Sequence, residues 1–370
     1  MSDNKIVIAS VLKPVDDIRM FWKFAVSLGK LEGLSVHVVG FDGKNIEKNN
    51  ITLYPLFRFK RFDLVKRLFA PWKFFLLAKK IKPRVLIIGT HELITPALLL
   101  KIWCQTKIIY DVRENYFLNI LSTNAFPPIL RHVLALGVRL KEMIAAPAIS
   151  VFFLAEKVYR KQLPFVKQNY LILENKCLDK NKYKLNQKGF HKFLFTGTIA
   201  QETGIFECIN LVIKLHQIDP LISLHIIGYC PKKSTYQQIK ALLKEHPFLT
   251  MSGGHELVSH DEITEEIMKA DIGLICYPPS RHIKGKVPTK LYEYLGYRLP
   301  FIVLDNNHLD QVSAPYPGSV TLPDFTNAPV ESLLETLQKT SFYRVLPGPE
   351  IYWSSEEPLF QKTIMSLIND

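Results

Sequence analysis

Short runs of Val, Ile, Leu and Phe alternate along this chain with longer stretches whose apolar positions recur every three or four residues. KIVIASVL (5–12), SVHVVGF (35–41), RVLIIGT (84–90), TKIIYDV (106–112), ISVFFLA (149–155) and NYLILEN (169–175) read as strands. Helical spacing covers about 17–30, Pro96 to Trp103, and roughly 128–146, the last opened by Pro127 and Pro128. Strands that are apolar throughout, separated by helices, predict a parallel sheet covered on both faces.

The polar stretch CLDKNKYKLNQKG (177–189) interrupts the pattern, which then restarts. Strands are expected at 192–198, 221–228, 248–254, 271–277 and 300–305, with helices at 204–218, 234–245, 260–270 and 290–297. Two further helical patterns cover 328–340 and 357–369. The expected organisation is α/β, with two doubly wound domains, 1–176 and 191–350, joined by a linker at 177–190. Residues 351–370 then form a C-terminal helix that packs back on the first domain. Open sheets of this kind bind ligands beyond the carboxyl ends of their strands, so two domains facing each other across a cleft would hold a site there. Neither GxGxxG nor a Walker sequence is present, which disfavours a Rossmann dehydrogenase or a P-loop kinase.

Composition adds mainly exclusions. A chain of 370 residues, 48% apolar and 22% charged, builds two ordinary cores and is neither disordered, collagen-like nor coiled coil. Its five cysteines are scattered without CxxC, which argues against a disulfide framework or a zinc site. The start lacks the basic region and apolar core of a signal peptide, and no apolar run approaches the ~20 residues needed to span a bilayer. A cytoplasmic location is expected.

Charge separates the two halves. The net charge is +13; residues 1–180 hold 29 Lys and Arg against 14 Asp and Glu, and residues 181–370 hold 18 against 20. Residues 55–84 concentrate ten bases, one acid (Asp63) and seven Phe or Trp. Leu76, Leu77 and Ile81 suit a core. Phe57, Phe59, Phe62, Phe69 and Trp72, interleaved with Arg58, Lys60, Arg61, Lys66 and Arg67, exceed what a core needs. Solvated lysines on a packed helix, stacking on nucleic acid, and docking on an anionic membrane compete for this segment. The membrane is favoured, at the inner face of the cell membrane, because no nucleic-acid motif accompanies the cluster.

The motifs, taken in order, resemble a GT-B glycosyltransferase of the family 4 (group 1) type. KPVDDIRMFWKFAVSLGKLEGLSVHVV is similar to that family's first strand, loop and helix; IIGTHELITP and IIYDVREN are similar to its next strand ends. RLKEMIAAPAISVFFLAEKVYRKQLPF…LILENK matches its helix–strand–helix ending in Asn. FLFTGTIAQETGI and LHIIGYC resemble its phosphate loop and a strand ending in Gly. KADIGLICYPPSRHIKGKVPTKLYEYLGYRLPFIV resembles its donor block, where Pro-x-Lys-x-x-Glu-Tyr is frequent. The resemblance covers about residues 5–310.

It implies retaining, metal-independent transfer of a sugar from a nucleotide-diphosphate sugar such as a UDP- or GDP-sugar, with no cofactor. The second domain holds the donor and the first the acceptor. With the basic aromatic segment, that acceptor is expected to be a lipid-linked or membrane-proximal glycan in surface polysaccharide assembly. A helix N-terminus and cations would neutralise the leaving diphosphate. The donor residues are then Gly197, Thr198, Thr203, Gly204, Gly228, Gly254, Lys286, Lys290 and Glu293, with Glu293 accepting the ribose hydroxyls. Arg281 and Lys284 crowd the same helix entry, and Gly253, His255 and Glu256 are expected near the base. Arg113, Glu114 and His91 are the catalytic candidates, and Asp16, Asp17 and Arg19 face the acceptor or cap a helix. Tyr294, Leu295 and His225 are expected in the core.

Four positions depart from the family pattern. Thr198 and Thr203 stand where the family has cations, Gly285 where it has Glu, and Arg113 where it has His. Arg binds phosphate bidentately but is no base near neutral pH, and a plain ion pair with Asp111 or Glu114 would also explain it. A GT-B nucleotide-sugar 2-epimerase and a catalytically degenerate binding scaffold are the alternative readings.

Overall fold

In a computed structural model of the protein, the described residues are 4–44, 46–57, 64–122, 127–179, 182–184, 189–278, 280 and 283–369. They form two compact units, Met1–Asn175 with Glu356–Asp370, and Lys176–Ser355.

The first unit holds β1 (Asn4–Pro14), β2 (Leu34–Phe41), β3 (Ile51–Phe57), β4 (Val85–Ile88), β5 (Lys107–Val112), β6 (Val151–Leu154) and β7 (Tyr170–Ile172). They pair in parallel in the order β3-β2-β1-β4-β5-β6-β7. After β1 comes a π-helical stretch, Ile18–Ala25, that continues into α1 (Val26–Leu28). The other helices are α2 (Leu64–Ile81), α3 (Ile94–Cys104), α4 (Tyr116–Ser122), α5 (Pro128–Ala145) and α6 (Tyr159–Gln162).

Phe74 and Phe75 of α2, Ala97 and Leu100 of α3, and Ala145 of α5 share one core with Val7, Leu86, Ile108, Phe152 and Leu154. These three helices therefore lie on the same face of the sheet. Phe153 points to the opposite face, as strand alternation requires, and meets Phe24 of the π-helical stretch.

Two expectations for residues 55–84 are corrected. Phe57 is buried beside Phe41 because it closes β3, a strand that Pro55 hides in the sequence and that its place at the sheet edge permits. Leu76 is exposed, because the helical period turns Phe74, Phe75 and Ala78 inward instead. Phe69 and Trp72 are exposed as expected, whereas Phe59, Phe62, Arg58, Lys60, Arg61 and Asp63 lie outside the described residues.

The second unit holds β8 (Lys192–Thr198), β9 (Ser223–Tyr229), β10 (Leu249–Gly254), β11 (Ile272–Ile275), β12 (Phe301–Leu304) and β13 (Ser319–Leu322), parallel in the order β10-β9-β8-β11-β12-β13. Its helices are α7 (Ile205–Ile218), α8 (Lys233–Glu245), α9 (His260–Lys269), α10 (Thr289–Gly296), α11 (Asn307–Ser313) and α12 (Val330–Lys339). Cys177, the first residue of the expected linker, is buried and exchanges backbone hydrogen bonds with Ile351 and Trp353. Residues 351–355 thus belong to this unit. The returning helix, α13 (Glu357–Asn369), lays Phe360 on Phe24 and Phe153 of the first unit.

Candidate active site

Each sheet reverses its winding once, between β1 and β4 in the first unit and between β8 and β11 in the second. Such a switch point opens a crevice at the carboxyl ends of the strands. Most of the residues singled out in the sequence lie at these two places.

At the first, four side chains form a line of alternating charge. Both Arg19 Nε and Nη2 donate to Asp111, at 3.0 and 2.8 Å. Arg113 Nε donates to Asp111 Oδ2 at 2.8 Å, and its Nη1 to Asp17 Oδ1 at 2.9 Å. Asp17 also caps the π-helical stretch, accepting from the backbone N–H groups of Arg19 and Met20. Arg19 is completed by the Leu173 carbonyl at 2.8 Å. Burial alone would raise the Asp17 pKa, but Arg113 and Lys13 overcome it and hold the carboxyl at about 2. Asp111 is likewise buried yet held low by Arg19 and Arg113. Arg113 is thus held between the two carboxylates, and Arg19 closes the line on the far side of Asp111. Asp16, beside them in the β1 turn, is half-buried and has no ion pair among the described residues.

His91 follows β4 and packs edge-on against Tyr116, 4.7 Å between ring centres. Lys141 Nζ, which can only donate, lies 3.2 Å from His91 Nδ1, so the ring proton sits on Nε2, 3.6 Å from Glu92. Burial, with Lys141 and Arg67, lowers the His91 pKa to about 4 against the pull of Glu92, so the ring is neutral at pH 7. Glu114 is exposed and accepts from Asn119.

At the second switch point the backbone itself forms the floor. Gly197, Gly228 and Gly253 stand in register across the ends of β8, β9 and β10. All three have positive φ, and a Cβ at Gly228 would overlap the Gly197 carbonyl. Beyond β8 the chain turns through Thr198 to Gly204 and enters α7. Thr203 Oγ1 lies 2.8 Å from the carbonyls of both Thr198 and Ala200, which share its one proton, and accepts from the Ala200 N–H at 3.2 Å, which fixes this turn. Gly204, φ +72°, packs against Cys276 at the end of β11 with no room for a side chain.

A buried cation, Lys290, faces this floor. Tyr294 of α10 lies on Gly273 of β11, and its hydroxyl meets Thr196 of β8 at 3.1 Å, which pins the helix. Lys290, one turn earlier, therefore extends toward the end of β8, with Cε 3.9 Å from where a Gly197 Cβ would stand. It is 5% exposed, its Nζ is 3.8 Å from the Phe195 ring centre, and that nitrogen has no hydrogen-bond partner among the described residues. Burial pulls its pKa down to about 8, despite the opposing effect of Cys208, Glu293 and Cys276. Glu293, one turn on, bonds His260 Nε2 at 2.8 Å.

The sequence reading missed His260, which nothing in the linear order connects to Glu293. Gly254 has φ +73° and packs on Tyr236; Lys286 and Gly285 lie in the turn before α10, and Arg281 lies outside the described residues. Neighbouring His255 meets the Cys230 carbonyl at 3.1 Å. His225 is not core: it is half-buried at the surface, bonded to Thr250 at 2.8 Å. Among the described residues no three His, Cys, Asp or Glu side chains gather as a metal-holding group. A cavity of about 530 Å³ lies elsewhere, at the amino-terminal ends of β6 and β7, lined by Met143, Ile149, Phe152 and Phe165.

No family model and no curated protein matches the chain in sequence. Solved structures do match its fold. Sucrose-phosphate synthase from Thermosynechococcus elongatus superposes with a TM-score of 0.73 at 13% identity, covering 99% of both chains. Anabaena HepE, in complex with UDP-glucose, gives 0.66 at 11% identity over 98% of this chain and 99% of its own. The α,α-trehalose 6-phosphate synthase from Burkholderia multivorans gives 0.59 at 11% identity over 100% and 98%. With its parallel sheets of seven and six strands and their helices, the chain has the GT-B fold of glycosyltransferases, two Rossmann-like domains.

Proposed function

We propose that the protein is a glycosyltransferase that binds a nucleotide-diphosphate sugar at the second unit's switch point. The observation that carries this reading is Lys290, a buried cation without a hydrogen-bond partner among the described residues, beside strand ends that carry glycines. Such a charge is unfavourable in the empty protein and favourable once an anion arrives. A diphosphate fits the place: the glycine row lets it approach the backbone, and the turn into α7 offers N–H groups. As the sugar–phosphate bond breaks, charge grows on the leaving diphosphate, and Lys290 with those N–H groups stabilises it. Glu293, oriented by His260, is suited to accept ribose hydroxyls.

In this reading the transfer is retaining, needs no metal, and goes to a lipid-linked or membrane-proximal glycan of surface polysaccharide assembly. The acceptor-side face belongs to the first unit. There the paired Asp17, Asp111 and Arg113 hold the strand ends in place, and neutral His91 offers a hydrogen bond rather than a charge. The exposed Phe69 and Trp72 on the acid-free α2 support a membrane location.

Calorimetric titration with UDP, GDP and their sugar conjugates, with and without EDTA, tests the reading. Tight binding of one nucleotide, unchanged by EDTA and weakened in Glu293→Ala, is expected. A folded wild-type protein that binds none of them would overturn it. NMR of the product's anomeric proton then reports the stereochemistry, and isomerised donor without acceptor would identify an epimerase.

A further inference from the structure

We infer that the outward face of α5, continuous with those of α2 and α3, seats the first unit on an anionic lipid bilayer. This rests on the membrane-proximal part of the proposed function and assigns it a surface.

α5 is inside out. Ile129, Val133, Leu136, Leu140 and Met143 follow one another at intervals of four and three residues, which is a single line along a helix. All of them are exposed, Ile129 at 83% and Leu136 at 60%. Three polar residues of its second half, Arg139, Lys141 and Glu142, are turned toward the protein instead, while His132 is exposed. Tyr110 donates to Glu142 at 2.9 Å, Arg139 to Asn115 at 2.7 Å, and Lys141 to His91 at 3.2 Å. An ordinary surface helix does the reverse. Because these contacts hold the inner face, the apolar stripe has no core of its own to enter.

The neighbouring helices, α3 beside α5 and α2 beside α3, carry exposed apolar residues too. Trp72 of α2 stacks on Phe75, and Phe75 meets Trp103 of α3, with ring centres 5.4 and 5.5 Å apart. Trp72 and Trp103 are both exposed, as are Leu68, Phe69 and Ile102. An apolar surface spread over three helices marks an interaction site.

Charge selects the occupant. α2 and α3 contain no acid, and the single acid of α5, Glu142, is buried. Lys73, Lys79 and Lys80 are exposed, with Lys79 over the Trp103 ring at 5.0 Å. Two copies of this face brought together would oppose like charges. A single-stranded nucleic acid would use the lysines and aromatics and leave the aliphatic stripe in water. An anionic bilayer takes all three classes: aliphatic side chains below the headgroups, Trp rings at their level, and lysines on the phosphates. Among the described residues no helix is long and apolar enough to cross a membrane, so α5 lies on the surface.

The test is flotation of the full chain with vesicles of phosphatidylethanolamine and phosphatidylglycerol, against phosphatidylcholine alone, for wild type and Leu136→Glu/Leu140→Glu. The variant places charge on exposed positions, and its nucleotide binding and circular dichroism verify its fold. Wild type is expected to float only with the anionic vesicles, and the variant to lose roughly tenfold or more of that binding. The inference is overturned if wild type stays with the soluble fraction, if the variant floats equally well, or if the stripe proves to join two copies in sedimentation without lipid. Nucleotide binding that fails while flotation holds would sink the proposed activity and leave this surface standing.

Discussion

The two switch points use charge in opposite ways. In the first unit Arg19, Asp111, Arg113 and Asp17 satisfy one another in a line and tie the ends of β1 and β5 together. In the second, Lys290 is buried without a hydrogen-bond partner among the described residues. Burying a matched line costs desolvation but returns it within the protein. Burying Lys290 returns only its contact with the Phe195 ring and the pull of nearby groups such as Glu293, short of a full counter-charge. The same sheet topology thus supports a crevice whose charges pair with one another and another whose cation, in the function proposed above, is held for a ligand.

Removing one member of the line is the hardest test of this contrast. Asp111→Ala leaves two buried guanidinium groups short of a partner and is expected to cost about 3–5 kcal/mol in chemical denaturation, with nucleotide affinity of the folded fraction unchanged. Lys290→Met should do the opposite. Affinity for the nucleotide diphosphate falls roughly 10- to 100-fold by calorimetry, while stability stays level or rises. A stability loss in Lys290→Met as large as that in Asp111→Ala would erase the distinction.

Acidity and alkalinity sharpen it further. Asp17 titrates at about 2 in the folded protein against 3.8 for the free group, so its contribution is complete above the higher value and is lost as pH falls toward the lower. Asp17→Asn should remove that part of the acid limb. Lys290, at about 8 against 10.5, binds its proton more weakly when folded. Wild-type stability relative to Lys290→Met should therefore rise across that interval. The smallest effect is Thr203→Val, which removes the hydroxyl shared by the Thr198 and Ala200 carbonyls and accepting from the Ala200 N–H, and lowers stability by about 1 kcal/mol.

Most strands and helices were legible because a fully buried parallel strand leaves an unbroken apolar run and a helix leaves a period. β3 was not, since Pro55 reads as a breaker unless the strand is known to be at an edge. β13 was missed as well: it is an edge strand of the second sheet, short and only partly buried. At the site, Lys290 and Glu293 were found through a motif. Their meaning was not, because it comes from the Phe195 ring under one and His260 against the other. Arg113 was placed at the right strand end, yet only three dimensions show Asp17 and Asp111 on either side of it. The orientation of α5 was equally hidden, as period alone does not tell which face of an amphipathic helix turns inward.

The return of the chain through α13 bears on the order of synthesis. Phe360 packs on both Phe24 and Phe153, and Gln361 donates to the Ser27 carbonyl at 2.8 Å. A ribosome therefore finishes every residue of the second unit before it delivers the last piece of the first. The nascent first unit must wait with Phe24 and Phe153 uncovered while some 180 residues are translated, during which it is the half that calls for a chaperone.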